Sequence, residues 1–250
     1  MTIHRFFISD FTKAETVVLP QEIGWQISKV LRLQKGENII ISNNNGKDFT
    51  YVLEEINKDI VVAKFISETQ NLSEPKTNII LFQSLIPREK FEDVLQKCTE
   101  IGVSQFVPIQ TARSIVHAKD VNEQKLERWQ KIIQEAAEQS ERAKIPTIKY
   151  AISFEKAVEQ SIRDSDILIA WEEEKNNFPS TVLQNVTQKS VAIFIGPEGG
   201  FTQEEVNFAK KLGAKTISLG PRILRSETAG GVLASLILFA AKDLDATSHR

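Results

Sequence analysis

Residues 191–231 read VAIFIGPEGGFTQEEVNFAKKLGAKTISLGPRILRSETAGG and hold two strand-to-helix units, each strand ending in a Gly-Pro pair. Ile193-Phe194-Ile195 leads into Gly196-Pro197, and Ile217-Ser218-Leu219 into Gly220-Pro221. Such short runs, β-branched or aromatic and largely apolar, are the pattern of strands covered on both faces of a parallel sheet. At Gly199-Gly200 the backbone can take a positive φ or admit a close neighbour. Thr202 and Glu205 then form a T-x-x-E capping box, which predicts a helix running to about Leu212-Gly213. Both loops therefore leave the carboxyl edge of one sheet, where open α/β sheets hold their ligands.

What these loops lack narrows the ligand. G-P-E-G-G is neither a G-x-G-x-x-G dinucleotide loop nor a G-x-x-x-x-G-K-[ST] phosphate loop, and Glu198 puts negative charge where a phosphate would sit. A small ligand held by backbone N–H and C=O groups, and tolerant of a neighbouring acid, fits better. A side chain at Gly199 is expected to fill that space. Read alone, the Gly-Pro and Gly-Gly pairs are also ordinary turn punctuation. The second loop adds Arg222, Arg225, Ser226, Glu227 and Thr228 ahead of an apolar helix predicted from residue 229 to about 241. Ser226 is the predicted N-cap, and Glu227 favours the positive end of that helix.

The chain has 250 residues, 41% of them hydrophobic, enough for one large domain or two ordinary ones. No run of 18 or so apolar residues and no basic-then-apolar leader is present, so a soluble cytoplasmic protein without a membrane partner is expected. Cys98 is the only cysteine and His117 stands isolated, so no disulfide and no metal site is expected. Net charge is −2: residues 1–70 carry 8 Lys/Arg against 9 Asp/Glu, 71–150 carry 12 against 11, and 151–250 carry 11 against 13. No segment is strongly basic, so any nucleic-acid binding depends on how cations are placed.

In order, the chain opens with a predicted strand at 3–8, a helix at 21–33, and strands at 38–42, 49–56 and 60–66, the first two of these paired through an Asn-rich turn. A polar, Pro-containing linker at 71–76 closes this β-rich module. Beyond it come a strand at 78–85 and a helix from Pro87 with Phe91, Val94, Leu95, Cys98 and Ile101 as its buried stripe. A short strand at 106–109 and a long amphipathic helix at 122–144 follow, with Glu138 and Arg142 spaced as an intrahelical ion pair. Strands at 147–151 and 166–171 flank a helix at 153–161, and the alternation is the α/β signature. Ala170-Trp171-Glu172-Glu173-Glu174 makes a third loop at the same sheet edge if the strands run parallel. By position it closes over a ligand; by content its acids read as solvated.

IGPEGGF at 195–201 and LGPRILRSETA at 219–229 resemble the signatures of one family, the bacterial 16S ribosomal RNA uridine(1498) N3-methyltransferases of RsmE type, with Ser226 for the usual Thr. Looser likenesses cover nearly the whole chain. Ala136-Ala137-Glu138-Gln139-Ser140-Glu141-Arg142 is similar to the family's A-A-E-Q-S-G-R run, with Glu141 replacing Gly. The V-L-R run at Val30-Leu31-Arg32 is similar to its N-terminal domain, although Gln26 stands where a His is frequent. The resemblance implies an α/β fold in which residues 1–72 form a small PUA-like β-barrel RNA-binding domain and residues 73–250 a SPOUT-type, trefoil-knotted methyltransferase domain. Pattern rules alone point to an ordinary doubly wound sheet, because true knots are rare.

S-adenosylmethionine, 16S rRNA in the small ribosomal subunit and a homodimer are the implied cofactor and partners, the apolar C-terminal helix having surface for both its own core and a second copy. On matching positions, the implied cofactor contacts are Ile195, Gly196, Glu198, Gly199, Gly200, Leu219, Gly220, Ile223, Leu224, Ser226 and Thr228, joined by Ala170 and Trp171 from the third loop. Arg5, Arg32, Lys90, Arg113 and Gln139 are the implied RNA contacts. Uracil N3 carries a proton, so the chemistry needs alignment with the donor and cations or N–H donors that stabilise the uracil anion. Arg225 is the first candidate for that role, with Arg142 and Arg5 as helpers; Glu227 and Glu198 are the nearest candidates for the base. Two other readings share parts of this pattern. A nucleotide-dependent enzyme lacks its glycine and lysine signature here, and a non-catalytic RNA-binding or ribosome-assembly module has no use for paired Gly-Pro loops.

Overall fold

The computed structural model describes residues 3–8, 11–57, 60–185 and 189–245. The chain divides into two compact units, Met1–Glu74 with Ala137–Ile145, and Pro75–Ala136 with Pro146–Arg250.

In the first unit, β1 (His4–Phe7), β2 (Thr16–Val18), β3 (Asn38–Ser42), β4 (Lys47–Ile56) and β5 (Val61–Gln70) form a sheet ordered β1-β3-β4-β5-β2. β1 lies parallel to β3 and the other neighbours are antiparallel. Alternation along β4 sends Phe49, Tyr51 and Leu53 inward, where they meet Phe6, Ile27, Ile39 and Ile41. The β3–β4 turn places Asn44 at φ 64° and Gly46 at φ 90°, conformations that Asn and Gly tolerate best. α1 (Gln21–Trp25) runs on as a π-helix over Gln26–Leu31, and Arg32 ends it at φ 54°. Arg5, expected on RNA, is only 6% exposed and forks onto Asp48, with one arm at 2.7 Å. A charge this deep needs a partner, and Asp48 provides it from 43 residues away.

Residues 137–145 are tied into this unit by Glu74. Its carboxylate takes the Arg142 guanidinium at 2.8 Å and the Ala143 and Lys144 amides at 3.0 and 3.1 Å. Ile145 N donates to Asn44 Oδ1 at 2.7 Å, and Phe7 N to Glu138 Oε1 at 3.2 Å. The helix expected to reach residue 144 stops at Gln139, because Glu141 takes φ 60° and turns the chain away.

The second unit holds β6 (Asn78–Ser84), β7 (Gln105–Gln110), β8 (Thr147–Ile148), β9 (Ile152–Ser153), β10 (Asp166–Ala170), β11 (Ser190–Ile195) and β12 (Lys215–Ile217). Every pair is parallel, in the order β12-β10-β11-β6-β7-β8, with β9 also on β7. Its helices are α2 (Arg88–Ile101), α3 (Glu123–Gln139, ending in the first unit), α4 (Phe154–Ser161), α5 (Pro179–Val182), α6 (Gln203–Lys211) and α7 (Ser226–Ala240). One face is packed by Phe82, Phe194, Phe154, Phe201 and Val206, with Phe82 and Phe194 stacked at 4.4 Å. Leu81, one residue out of phase, meets α7 at Gly230, and Gly231 lets Ile101 of α2 approach, so α2 and α7 cover the opposite face. Both faces are covered, as expected for these apolar strands. The capping box forms with both arms: Thr202 Oγ1 accepts from Glu205 N, and Glu205 Oε2 from Thr202 N at 2.8 Å. Glu205 Oε1 also accepts the Ala112 amide at 2.8 Å, joining the loop after β7 to the start of α6.

Candidate active site

Because β12, β10 and β11 are parallel neighbours, the loops that follow them, at 218–225, 171–178 and 196–202, leave one edge side by side. Together with the first turn of α7 and Lys90 of α2 they line a cavity of about 760 Å³. The loop after Ala170, expected at this edge if the strands run parallel, is thus part of the same site. Ala170 and Trp171 line it from β10; Ile195, Gly196, Glu198, Gly199 and Gly200 from β11; Leu219, Gly220, Ile223, Leu224 and Ser226 from β12. Arg225 and Glu227 are also on its wall. Thr228 is not: one step further round the helix, its exposed side chain points elsewhere.

The two Gly-Pro loops are fastened to each other. Helix α7 begins at Ser226 rather than Ala229, with Arg225 in the N-cap position and no side-chain cap. Ser226, expected to cap, instead donates its hydroxyl to the Gly196 carbonyl at 2.5 Å and accepts from Gln83 Nε2 at 2.9 Å. Gly196 has little room for a side chain, since a Cβ there would press on the Gly200 backbone at 3.2 Å and the loop would have to give by a few tenths of an ångström. Gly200 sits at φ 67° and donates its amide to Pro197 O at 3.0 Å. At Gly199 a Cβ would rest against the Arg113 side chain at 3.4 Å, so the space expected there for a ligand belongs to Arg113. Arg113 itself donates to Gly199 O at 2.6 Å and holds the loop.

Lys90, predicted as an RNA contact, lines the cavity and pairs with Glu198 at 2.8 Å. Burial pushes the Glu198 carboxyl up, but the hydrogen bond and charge of Lys90 outweigh it, so Glu198 ionises below the ordinary value. The same bond raises the Lys90 ammonium. Arg225 is 79% exposed in its side chain and lies 3.9 Å from Glu227, whose side chain is 15% exposed. The other Glu227 oxygen is buried with no hydrogen-bond partner among the described residues. A buried carboxylate oxygen left unpaired is costly, and such groups cluster where a ligand or proton is to be taken. Arg142 belongs to the first unit, with its guanidinium on Glu74 at 2.8 Å. Gln139 is exposed at the end of α3, and Arg32 is exposed in the first unit.

Glu174, expected among the solvated acids, is only 9% exposed. One oxygen accepts the amides of Lys175, Asn176 and Asn177 at 3.0, 2.9 and 3.2 Å; the other accepts Thr216 Oγ1 at 2.5 Å and Asn177 Nδ2 at 3.2 Å. Burial raises its carboxyl, and the Thr216, Asn176 and Asn177 hydrogen bonds with the Lys210 charge more than reverse this, leaving it below the ordinary value. Asn177 O in turn accepts Ser218 N at 2.8 Å, so Glu174 clasps the third loop to the second. Glu172 and Glu173 of the same run are exposed as expected. Among the described residues no group of three or more His, Cys, Asp or Glu is placed to hold a metal ion, and no helix is long and apolar enough to cross a membrane.

The cavity wall combines apolar side chains with backbone hydrogen-bonding groups. Trp171, Phe178, Ile195, Leu219 and Leu224 offer apolar walls, Gly196 to Gly200 and Leu219-Gly220 offer backbone groups, and a Cβ at Gly220 would meet nothing within 4 Å.

An RNA methyltransferase domain model matches residues 73–238 and an RNA methyltransferase PUA domain model residues 27–66. Ribosomal RNA small subunit methyltransferase E of Bacillus subtilis is 34% identical over 91% of this chain and 93% of its own length. The protein of that name from Mesomycoplasma hyopneumoniae is also 34% identical, over 91% and 95%. A crystal structure of Ribosomal RNA small subunit methyltransferase E from Neisseria gonorrhoeae bound to S-adenosyl methionine matches at 30% identity and TM-score 0.86, covering 95% of this chain and 98% of that one. Matched in this way by family models, and over nine-tenths of its length by relatives and a solved structure alike, the chain belongs to the ribosomal RNA small subunit methyltransferase E family.

Proposed function

We propose that the protein transfers the methyl group of S-adenosylmethionine to N3 of one uridine, of the 1498 class, in 16S rRNA of the small ribosomal subunit, in the cytoplasm. The observation that carries this reading is the meeting of three parallel-strand loops around one cavity with Arg225 and Glu227 side by side on its wall. The relatives named for small-subunit methylation, and the Neisseria relative bound to S-adenosyl methionine, support it.

Bound there, S-adenosylmethionine supplies a methyl group on a sulfonium whose departure leaves a neutral thioether, so no acid is required. The three loops hold it by backbone and apolar contacts. Glu227 takes the N3 proton: the N3–H bond breaks, the proton goes to the unpartnered carboxylate oxygen, and the N3 pair becomes available for the new N–CH₃ bond. Glu198 is the poorer base, being engaged by Lys90. Arg225 offers guanidinium N–H groups to O2 or O4 as charge builds on the ring, which alignment alone does not stabilise.

In this reading residues 1–72 form the PUA-like RNA-holding domain and residues 73–250 the transferring domain, consistent with the two family matches. The transferring domain is of the trefoil-knotted type. Support comes from the chain after β12, which runs beside the β10–β11 connection through Ser218 N to Asn177 O, crosses to Gly196 and enters α7 on the α2 face. It works as a homodimer, for which α7 offers Val232, Leu236 and a 69% exposed Phe239 along one side. Incubation with labelled S-adenosylmethionine and small subunits lacking the modification, followed by mapping, tests the reading. One N3-methylated uridine is expected; a methyl at another atom, or none, overturns it.

A further inference from the structure

The first unit carries an apolar, basic surface that its core does not explain. Gly24 and Ile27 face inward, and a Cβ at Gly24 would press on Val61 at 3.3 Å, so the helix sits tightly on β5. Its outer side then shows Trp25, 61% exposed, and Val30, 55% exposed, beside the exposed Lys29 and Arg32. The backbone here is unusual twice over. Residues Gln26–Leu31 form a π-helix, a widened turn frequent at functional sites, and Arg32 leaves it in the left-handed region at φ 54°. Leu33 N reaches back to Ile27 O at 3.0 Å, so the chain exits abruptly and sets Arg32 at the helix end. Residues 21–36 hold Lys29, Arg32 and Lys35 against Glu22 alone, a net +2 in a chain of net −2.

We infer that this face is a docking surface for single-stranded RNA, with a base stacked on the Trp25 indole and flanking phosphates on Lys29 and Arg32. The inference rests on the proposed function for its partner. An exposed indole bordered by cations is the composition single-stranded nucleic acid selects, because every base has a stacking face and every step a negative charge. It also supplies what the even charge balance left open: affinity from placement rather than net charge.

The chain carries its own probe. Of its three tryptophans, Trp129 and Trp171 are 1% and 9% exposed against 61% for Trp25, and Trp171 lines the cavity, so the Trp25 signal is the part of the RNA-induced quenching that W25F loses. A single-stranded RNA oligonucleotide spanning the substrate uridine is titrated into wild type, W25A, W25F and K29E, with S-adenosylmethionine affinity and methyl transfer to small subunits read in parallel. Expected are quenching of the Trp25 emission, RNA affinity lower by about tenfold in W25A and largely kept in W25F. In K29E the slope of log affinity against log salt shrinks by about 0.7. S-adenosylmethionine affinity stays the same in all. Unchanged RNA affinity in W25A, with wild type binding and methylating, overturns the docking surface and leaves the proposed function standing. A shift of W25A toward monomers at unchanged RNA affinity assigns the face to a second copy and overturns it equally. Wild type that neither binds nor methylates RNA removes both.

Discussion

Ser226 donates its hydroxyl to the Gly196 carbonyl at 2.5 Å while accepting from Gln83, so one small side chain joins the two signature loops to the sheet beneath them. Ser226 is 6% exposed, and removing its oxygen leaves a carbonyl and an amide without their partner in a dry place. Ser226→Ala is expected to cost about 1–3 kcal/mol of stability and to weaken S-adenosylmethionine binding, because the loops lose their fixed spacing. Ser226→Thr keeps the hydroxyl and should retain both. Thermal melts and isothermal titration of the two variants check this; equal losses in Ala and Thr would remove the hydroxyl from the explanation.

The neighbouring glycines of G-P-E-G-G are not equivalent. Gly200 has φ 67°, and its Cβ would fall on the exposed Glu172 carboxylate, which can swing aside; the backbone conformation therefore decides the cost. Gly199 has ordinary φ, and its Cβ would meet Arg113 at 3.4 Å. Gly200→Ala is expected to lose about 1 kcal/mol and several-fold in S-adenosylmethionine affinity, whereas Gly199→Ala should be nearly silent. Titration of both with S-adenosylhomocysteine distinguishes them, and equal effects would mean the loop rearranges.

The carboxyl-edge site was legible because it is local. Each strand and its Gly-Pro exit are contiguous in the sequence, the Thr202–Glu205 box follows the first exit directly, and the box forms with both arms. What stayed hidden depends on partners distant in the chain. Arg5 reads as an RNA contact because Asp48, which engages it, is 43 residues away, and Glu174 reads as one of three solvated acids because Thr216 is 42 away. Ser226 has the composition of a helix cap, but Gly196, 30 residues earlier, recruits its hydroxyl and lets the helix start sooner. β2, three residues long, is too short for any alternation to register. The end of α3 is hidden in the sequence for a different reason: apolar periodicity continues through Ala143, and only a backbone angle at Glu141 breaks the helix.

Arg225 is mostly exposed and 3.9 Å from its nearest acid, so the fold asks little of it. Arg225→Ala should change stability by less than about 0.5 kcal/mol and lower kcat roughly 10²-fold or more, with S-adenosylmethionine affinity kept. Glu227→Gln should also lower kcat while leaving the donor bound. Single-turnover assays on small subunits, with cofactor affinity measured alongside, check both. A kcat close to wild type in Arg225→Ala would take the guanidinium out of the chemistry.

Glu141 stands at φ 60° on the surface, where the family run it resembles has Gly. A side chain in this region is disfavoured by roughly 1–2 kcal/mol, partly offset by the greater freedom glycine gives the unfolded chain. Its backbone carbonyl, not its side chain, holds Asn71 and Ser73, so those bonds survive substitution. Glu141→Gly is expected to stabilise the protein by about 0.5 kcal/mol, as a small upward shift of Tm with activity unchanged; a lower Tm would show the glutamate side chain contributing more than its exposure suggests.

Glu174 gives the clearest pH signature. Its buried carboxylate accepts three consecutive amides and the Thr216 hydroxyl, and these bonds hold its ionisation below the ordinary glutamate value of 4.5 despite burial. A group whose folded value is depressed contributes stability fully above its unfolded value and loses it as pH falls through the folded one. Glu174→Gln cannot accept the amides as an anion, so it should be less stable than wild type at pH 7 by about 2 kcal/mol. That difference should hold down to about pH 5 and close below 4.5 as the wild-type carboxylate protonates. S-adenosylmethionine affinity should fall with it, since the clasp positions both the third loop and, through Asn177 O, the Ser218 amide. Melts of the pair from pH 7 to pH 3 read the gap directly. A difference independent of pH would mean that side-chain shape, rather than the charge on Glu174, closes the cavity.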